Sequence, residues 1–249
     1  MNVATELEGA VARGEITPAF QPQIDIPTRR IVAVEALARW THPILGAVAP
    51  IDFIPVAEQL GLIDEIGNYM LDESCRCSSE WIAAGLSVEV AVNVSPAQLA
   101  DVHFLDRIQS NLEQHQLSAN RLTIEITESL PVADVPNVLV RLAELRDLGV
   151  GISVDDFGTG HASVQRLSSL PVSELKLDQS LVQDLSEPPL FLTEAIAVAR
   201  LDGLRVVAVG VETEEQFERA RWLGCDRAQG YLFGRPATEA DITLALVSA

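Results

Sequence analysis

Seven side chains that could bind a cation or move a proton lie near the carboxyl ends of strand-like segments. They are four carboxylates, two amides and one amine: Glu35, Asn93, Glu125, Asp155, Asp156, Lys176 and Gln229. A single polar strand end usually contacts only water. Several that met in one layer would bury mutually repelling charges unless cations lay between them. The set therefore predicts a cation-binding pocket.

The donor types indicate which cation such a pocket would hold. Carboxylate and amide oxygens suit Mg²⁺ or Mn²⁺, whereas the four histidines and three cysteines lack the spacing of a zinc site. Within "VDDFGTG", Asp155 and Asp156 would point apart if both lay in one strand. We expect the strand to end at Asp155 and the chain to bend through Gly158 and Gly160. Both acids could then bridge two metals about 3.5–4 Å apart, an arrangement used for phosphodiester hydrolysis. An acidic turn is the alternative.

Three further polar residues could act on a phosphate. Lys176 could orient an attacking water or stabilise charge on a phosphoryl oxygen, or it could form a structural ion pair with Glu125 or Asp155. The planar guanidinium of Arg39 could clamp a phosphate. Gln21, which precedes a proline, could reach a base or phosphate edge, or it could be structural.

The segments that would position these residues alternate between short β-rich runs and amphipathic helical patterns. After an opening helix over about residues 4–14, the predicted strands are "PAFQPQIDI", "RIVAVEALA", "VEVAVNVS", "RLTIEIT", "VGISVDD", "SELKLDQ", "LRVVAVG" and "CDRAQGYLF". Eight strands in about 250 residues predict one TIM-like (β/α)₈ barrel domain, with the barrel over about residues 16–249. The first two strands are joined by only a few residues around Pro27, which predicts a hairpin and hence one antiparallel strand.

Helix-capping residues mark two of the helices between the strands. A helical pattern ends at Gly149 as its C-cap, and another begins at Thr213 as its N-cap and ends at Gly224. The segments around Thr41–Pro50 and Ser186–Pro189 are predicted to be loops.

The overall charge limits the partners. The 249 residues carry a formal net charge of -19, so the surface repels nucleic-acid phosphates and anionic membranes. The first fifteen residues contain several charges, unlike a signal peptide, and the chain contains no stretch of 18 uncharged apolar residues. We expect no DNA, RNA or membrane partner and a cytoplasmic location.

Together the motifs resemble those of the EAL domain family, bacterial phosphodiesterases of the second messenger cyclic di-GMP. The resemblance runs from about Glu6 to Leu244 and rests on nine stretches in family order. They are "QPQID", "EALARW", "FIPVAEQLGLI", "NVS", "EITES", "DDFGTG", "LKLDQSLV", "GVET" and "QGYLFGRP". It implies a barrel with one antiparallel strand, and a metal-activated water that opens cyclic di-GMP to linear pGpG.

The resemblance also implies roles for individual residues. The metal-ligand positions, for two Mg²⁺ or Mn²⁺ ions, are Glu35, Asn93, Glu125, Asp155 and Asp156. Lys176 is the lysine that engages the attacking water and, with Asp155 and Asp156, completes the catalytic set. Substrate-binding positions are Gln21, Leu37, Arg39, Asp178, Glu212 and Gln229. The loop that shapes the metal site and links it to homodimerisation comprises Glu128, Phe157, Gly158 and Thr159.

One catalytic position departs from the family pattern. The usual family sequence is "AEGVET", whose first glutamate is a metal ligand and the proposed general base, and here that place is Val209. Losing general-base help typically costs about 10²–10⁴ in rate. A valine also weakens the second metal site, although some hydrolysis can survive because water bound to two metals already has a lowered pKa.

These observations leave three hypotheses. The first is a slow cyclic di-GMP phosphodiesterase, favoured because the other ligand positions are retained. The second is a catalytically impaired domain that binds cyclic di-GMP as a sensor or effector, favoured by Val209. The third is a barrel that binds no nucleotide and serves as a protein-interaction platform.

Overall fold

The computed structural model describes residues 3–128, 137–159, 167 and 169–248. The strands are β1 Ile16–Asp25, β2 Ile31–His42, β3 Gly46–Val48, β4 Glu89–Asn93, β5 Leu122–Thr127, β6 Gly151–Phe157, β7 Glu174–Leu177, β8 Arg205–Ala208 and β9 Arg227–Gln229. The helices are α1 Val3–Leu7, α2 Pro50–Leu60, α3 Ile63–Ala83, α4 Pro96–Ala100, α5 Phe104–Gln114, α6 Val138–Leu148, α7 Gln179–Gln183, α8 Leu190–Leu201, α9 Glu214–Leu223 and α10 Glu239–Ser248. A 3₁₀ turn, Ala119–Arg121, precedes β5.

Eight of the strands close into a mixed barrel, which confirms the predicted TIM-like fold. Strands β2, β4, β5, β6, β7, β8 and β9 follow one another in parallel, and β1 joins β9 to β2, antiparallel to both. The hairpin connection is the reason, because a few residues can reverse the chain but cannot span a parallel crossover.

An additional strand lies outside the barrel. β3 pairs antiparallel with the end of β2, within the segment around Thr41–Pro50 that was predicted to be a loop. Three residues are too few for a period-two pattern to be recognised in the sequence.

The outer positions of the barrel strands are apolar, and the polar groups of the strands lie mainly at the inner positions. Val90 and Val92 on β4, and Ile124 and Ile126 on β5, are each at most 2% exposed and belong to the hydrophobic core between barrel and helices. The intervening side chains line the interior, because successive side chains of a strand point to opposite faces.

Three helix caps lie where the sequence predicts them, whereas the first helix is shorter than predicted. Thr213 and Gln216 form a capping box at α9, and Gly224 and Gly149 end their helices in the left-handed conformation. Helix α1 ends at Leu7, shorter than the predicted helix over residues 4–14. Gly9 and Gly14, with φ of 72° and 69°, favour the turns that follow it.

A charge network fills the end of the barrel where the parallel strands begin. Arg227 on β9 donates to both carboxylate oxygens of Glu89 on β4, at 2.9 and 3.0 Å. Arg205 on β8 contacts Glu89 at 3.0 Å and Glu174 at 2.9 Å. Two carboxylates and two guanidinium groups therefore neutralise one another. Burial alone would raise the pKa of Glu89, but Arg227 and Arg205 hold this pKa below its usual value.

We expect Glu89→Gln to lower the free energy of unfolding at pH 7 by about 1.5–3 kcal/mol, because the charge is lost from the three hydrogen bonds that Glu89 accepts from Arg227 and Arg205. A folded-state pKa below the unfolded one gives stability that is present above the usual value of 4.5 and is lost as the pH falls through the folded pKa. The difference in free energy of unfolding between wild type and variant should therefore shrink below pH 4.5. Urea unfolding at several pH values from 7 to 3 measures this difference.

The control for this prediction is Glu80→Gln, because the Glu80 side chain is 58% exposed in its pair with Arg76. An exposed pair contributes little, so this control should change stability by at most about 0.5 kcal/mol. Equal losses in the two variants would contradict the role given to Glu89.

Among the residues that the structure describes, no helix combines the length and apolarity needed to cross a membrane.

Candidate functional site

Three carboxylates surround one ammonium group inside the other end of the barrel. The Lys176 Nζ lies 2.9 Å from Glu125 Oε2, 3.0 Å from Glu35 Oε2 and 3.2 Å from Asp155 Oδ2. Lys176, the only lysine of the chain, is 1% exposed, and Glu125 and Glu35 are 1% and 5% exposed. The fold therefore brings these four strand-end groups together.

The strand register places these groups at one level of the barrel. Glu35 on β2 pairs with Gln21 on β1, and Asn93 on β4 pairs with Glu125 on β5. These strands lie side by side, so their inward side chains converge on the axis. In contrast to the network of Glu89 and the two arginines, this level carries more negative than positive charge.

The short distances have electrostatic consequences for each group. Burial opposes the charged form of Lys176, but Glu125, Glu35 and Asp155 outweigh it and raise the pKa of Lys176 well above its usual value. Burial likewise opposes ionisation of Glu35, yet the Lys176 charge and the amide donors lower the pKa of Glu35 to about 2. Burial and the neighbouring Glu35 raise the pKa of Glu125 well above its usual value, despite Lys176.

The acidic cluster fits a divalent cation. Donor oxygens of Glu35, Glu125 and Asp155 lie within 4.8 Å of one another. Glu125 Oε1 is buried and accepts no hydrogen bond from any described residue. A buried carboxylate oxygen without a donor is costly, and an oxygen-preferring ion such as Mg²⁺ or Mn²⁺ would satisfy it.

Amide side chains hold Glu35 from two sides. Asn93 Nδ2 donates to Glu35 Oε1 at 2.8 Å, and Gln229 Nε2 donates to Glu35 Oε2 at 2.7 Å. Gln229 also donates to Gln21 Oε1 at 3.1 Å and accepts from Gln23 Nε2 at 3.1 Å. Gln23, 1% exposed, was not among the predicted site residues. Its spacing of two from Gln21, which puts both on one strand face, is the signal that could have identified it.

Comparison with known proteins places this barrel in a family. A family model for the EAL domain matches residues 4–236. The chain belongs to the EAL domain family. Two of its relatives come from Pseudomonas aeruginosa. Over 235 residues the domain is 40% identical to the bifunctional diguanylate cyclase/cyclic di-GMP phosphodiesterase MucR, covering 93% of this chain and 34% of MucR. Over 220 residues it is 39% identical to the cyclic di-GMP phosphodiesterase PA2567, covering 87% of this chain and 38% of PA2567.

Solved EAL domain structures share the barrel. The PaMucR phosphodiesterase in complex with cyclic di-GMP superposes with a TM-score of 0.90 at 38% identity, over 96% of this chain and 99% of that one. The chain spans roughly a third of the length of the first curated relatives, at 34%, 30% and 28%.

The adjacent acids of this EAL domain adopt a different local structure from the predicted one. Strand β6 does not end at Asp155 but continues to Phe157, and its register with β7 shifts between Val154 and Phe157. The irregularity includes Asp156, whose φ of 57° is left-handed. A bulge therefore changes the direction of the side chains within the strand. The prediction assumed strict alternation of side chains and did not include a bulge. Partial burial and Asp155 raise the pKa of Asp156. Gly160, the second predicted bend residue, lies outside the described residues.

The segment that follows is held by Glu128. The Gly158 N–H donates to Glu128 Oε2 at 2.6 Å, and Thr159 Oγ1 donates to the Asp156 carbonyl oxygen at 3.0 Å. The buried Phe157 accepts the Asp178 N–H through its carbonyl oxygen at 3.1 Å. These contacts join the predicted loop residues to the bulge.

The remaining predicted positions lie around the cluster rather than in it. Leu37 and Arg39 are half-buried on β2, beyond Glu35, and Arg39 Nη1 donates to the Ala38 carbonyl oxygen at 2.9 Å. Asp178 caps α7 by accepting from the Ser180 N–H at 2.9 Å. Glu212 is exposed, and its backbone N–H donates to Gln216 at 2.7 Å.

Val209 continues the barrel interior above Lys176. Its N–H donates to the Leu177 carbonyl oxygen at 3.1 Å, which extends the pairing of β8 with β7. Lys176 and Arg227 both pair with Val207, so Val209, two residues further on, lies level with Gln229. The half-buried Val209 side chain therefore takes an inward position beside the cluster and offers no ligand atom.

Proposed function

We propose that this EAL domain is a slow cyclic di-GMP phosphodiesterase that cleaves one phosphodiester bond of the ring to give linear pGpG. The observation that carries the proposal is the cluster of the buried Glu35 and Glu125 and the partly buried Asp155 around Lys176. Within it, one Glu125 oxygen accepts no hydrogen bond from any described residue. The named activity of the relatives MucR and PA2567 supports the substrate.

The residues divide the work according to their chemistry. Glu35, Glu125 and Asp155, with Asn93 and Asp156, would hold Mg²⁺ or Mn²⁺. The bound metal would supply a water of lowered pKa and neutralise phosphate charge. Lys176 would orient that water and stabilise negative charge on the phosphoryl oxygens. The Arg39 fork would hold a non-bridging oxygen, and Gln21 and Gln229 would contact the dinucleotide.

The second candidate is a sensor that binds cyclic di-GMP without useful turnover, favoured specifically by Val209. A valine neither accepts a proton nor binds a cation. The ligand-binding groups Gln21 and Arg39 are unaffected by this substitution, so binding does not depend on it. We rank this candidate below the enzyme because a pure binder has no need for the three-carboxylate cluster.

Calorimetry with cyclic di-GMP in Ca²⁺, followed by product analysis in Mn²⁺, tests these proposals. Binding with slow formation of pGpG would support the enzyme, and binding without any product would support the sensor. Arg39→Ala should weaken binding at least tenfold if Arg39 forms a bidentate phosphate contact. The matched control is Arg29→Ala, because Arg29 pairs with Glu214 on the exposed surface. Absence of binding in the wild type would contradict both candidates and favour the protein-interaction platform.

A further inference from the structure

Buried glutamines form a directional chain of hydrogen bonds beside Glu35. Gln23 Nε2 donates to Gln229 Oε1 at 3.1 Å, and Gln229 Nε2 donates to Glu35 Oε2 at 2.7 Å and to Gln21 Oε1 at 3.1 Å. Gln21 Nε2 then donates to the Gly234 carbonyl oxygen at 3.2 Å. All three glutamines are at most 8% exposed, so these contacts are largely shielded from bulk water.

The two acceptors that end this series of hydrogen bonds, Glu35 and the Gly234 carbonyl, determine the orientation of each amide. A carboxylate such as Glu35 and a carbonyl such as that of Gly234 only accept hydrogen bonds. Gln229 must therefore turn its NH₂ towards Glu35, which leaves its oxygen facing Gln23. Gln23 is the group that donates to this oxygen, because its own NH₂ lies 3.1 Å away.

The backbone around Gln229 leaves little room for another arrangement. Gln23 and Gln229 are directly paired across β1 and β9. The Val211 N–H donates to the Gln229 carbonyl oxygen at 3.0 Å, and a side chain at Gly230 would lie 2.0 Å from the Val211 carbonyl oxygen. The main chain at Gln229 is thus held, so rotation of the side-chain amide is the remaining way for Gln229 to change its contact with Glu35.

We infer that Gln23 is a positioning residue that holds the Gln229 amide in the one orientation that supports Glu35 as a cation ligand. The inference rests on the proposed metal-binding function of the cluster. Without the Gln23 donor, the buried Gln229 oxygen loses its hydrogen bond, and the orientation seen in the structure is no longer favoured over a 180° rotation of the amide. Its oxygen would then face the Glu35 carboxylate, which repels it and disturbs the ligand geometry.

The single lysine makes a local measurement possible. In protein labelled with ¹⁵N-lysine, one side-chain signal reports Lys176, which contacts Glu35 directly. Titration with Mg²⁺ alone then measures affinity at the cluster itself rather than at the many surface carboxylates. Groups that orient metal ligands typically contribute 10–100-fold to metal affinity. We expect Gln23→Met to lower the affinity for Mg²⁺ by about this factor. Gln23→Glu, which puts an acceptor where Gln23 donates, should lower the affinity further.

A double-variant cycle separates positioning from a general structural role. Because Gln23 acts through Gln229, Gln23→Met should have no further effect on affinity in a Gln229→Met background. Ser78→Ala is the control, since Ser78 is buried on α3 and donates to Val88, away from the cluster. Unchanged Mg²⁺ affinity in both Gln23 variants, or additive losses in the double variant, would overturn the inference. A Lys176 signal that does not change when Mg²⁺ is added to the wild type would contradict the proposed metal site itself.

Discussion

Replacing Val209 with glutamate is expected to raise the turnover of cyclic di-GMP in Mn²⁺ about 10²–10⁴-fold, the usual contribution of general-base catalysis. Val209 lies level with Gln229 and beside the cluster, so a carboxylate there could accept a proton from the attacking water and ligate a cation. Side-by-side assays of pGpG formation by wild type and Val209→Glu measure the effect. Without metal the variant should also be less stable, because a further carboxylate joins an acidic site.

The control for this prediction is Val209→Gln, which has nearly the shape of the glutamate variant but no charge. It should gain no activity, so a gain shared by both variants would point to shape rather than to the carboxylate. Wild-type turnover already within tenfold of Val209→Glu would mean that another group supplies the base, and our interpretation of Val209 would be wrong.

Removing the Lys176 ammonium with Lys176→Met is expected to lower the free energy of unfolding at pH 7 by about 3–5 kcal/mol, the usual cost of breaking a buried ion pair. Glu35, Glu125 and Asp155 would then repel one another without a cation between them. Because Lys176 lowers the pKa values of Glu35 and Glu125, these values would be higher in the variant, which would take up protons as the pH falls. The loss should therefore be smaller at pH 5 than at pH 7.

Urea unfolding at both pH values, with and without Mn²⁺, measures the effect. Bound metal at about 100 times its dissociation constant contributes about 2.7 kcal/mol, so Mn²⁺ should restore much of the lost stability. Arg205→Met is the matched control, because it also removes a cation from the barrel interior but leaves Glu89 paired with Arg227. Equal responses of the two variants to Mn²⁺ would contradict a cation site at Lys176.

Much of this architecture could be read from the sequence because it depends on short-range patterns. Short β-rich runs between amphipathic helical patterns identified the eight barrel strands, and the hairpin around Pro27 identified the antiparallel one. Threonine and glycine marked the limits of α9. The polar residues at the strand ends were identified for the same reason, because a polar residue that follows an apolar run can be recognised in the sequence alone. Strand β3 was not identified, because three residues are too few for a recognisable pattern. The opening helix was predicted to run to about residue 14, whereas α1 ends at Leu7.

The sequence by itself determined the family, the barrel, the acidic set around Lys176 and the valine where the family has a glutamate. Only the tertiary structure decided how these groups meet. The bulge at Asp156 and the orientation of the Gln229 amide depend on neighbouring strands, and Gln23 gains a role only because β1 pairs with β9. The contact between Gln23 and Gln229 joins residues 206 positions apart, so its geometry is set by strand register, which a pattern within one segment does not specify.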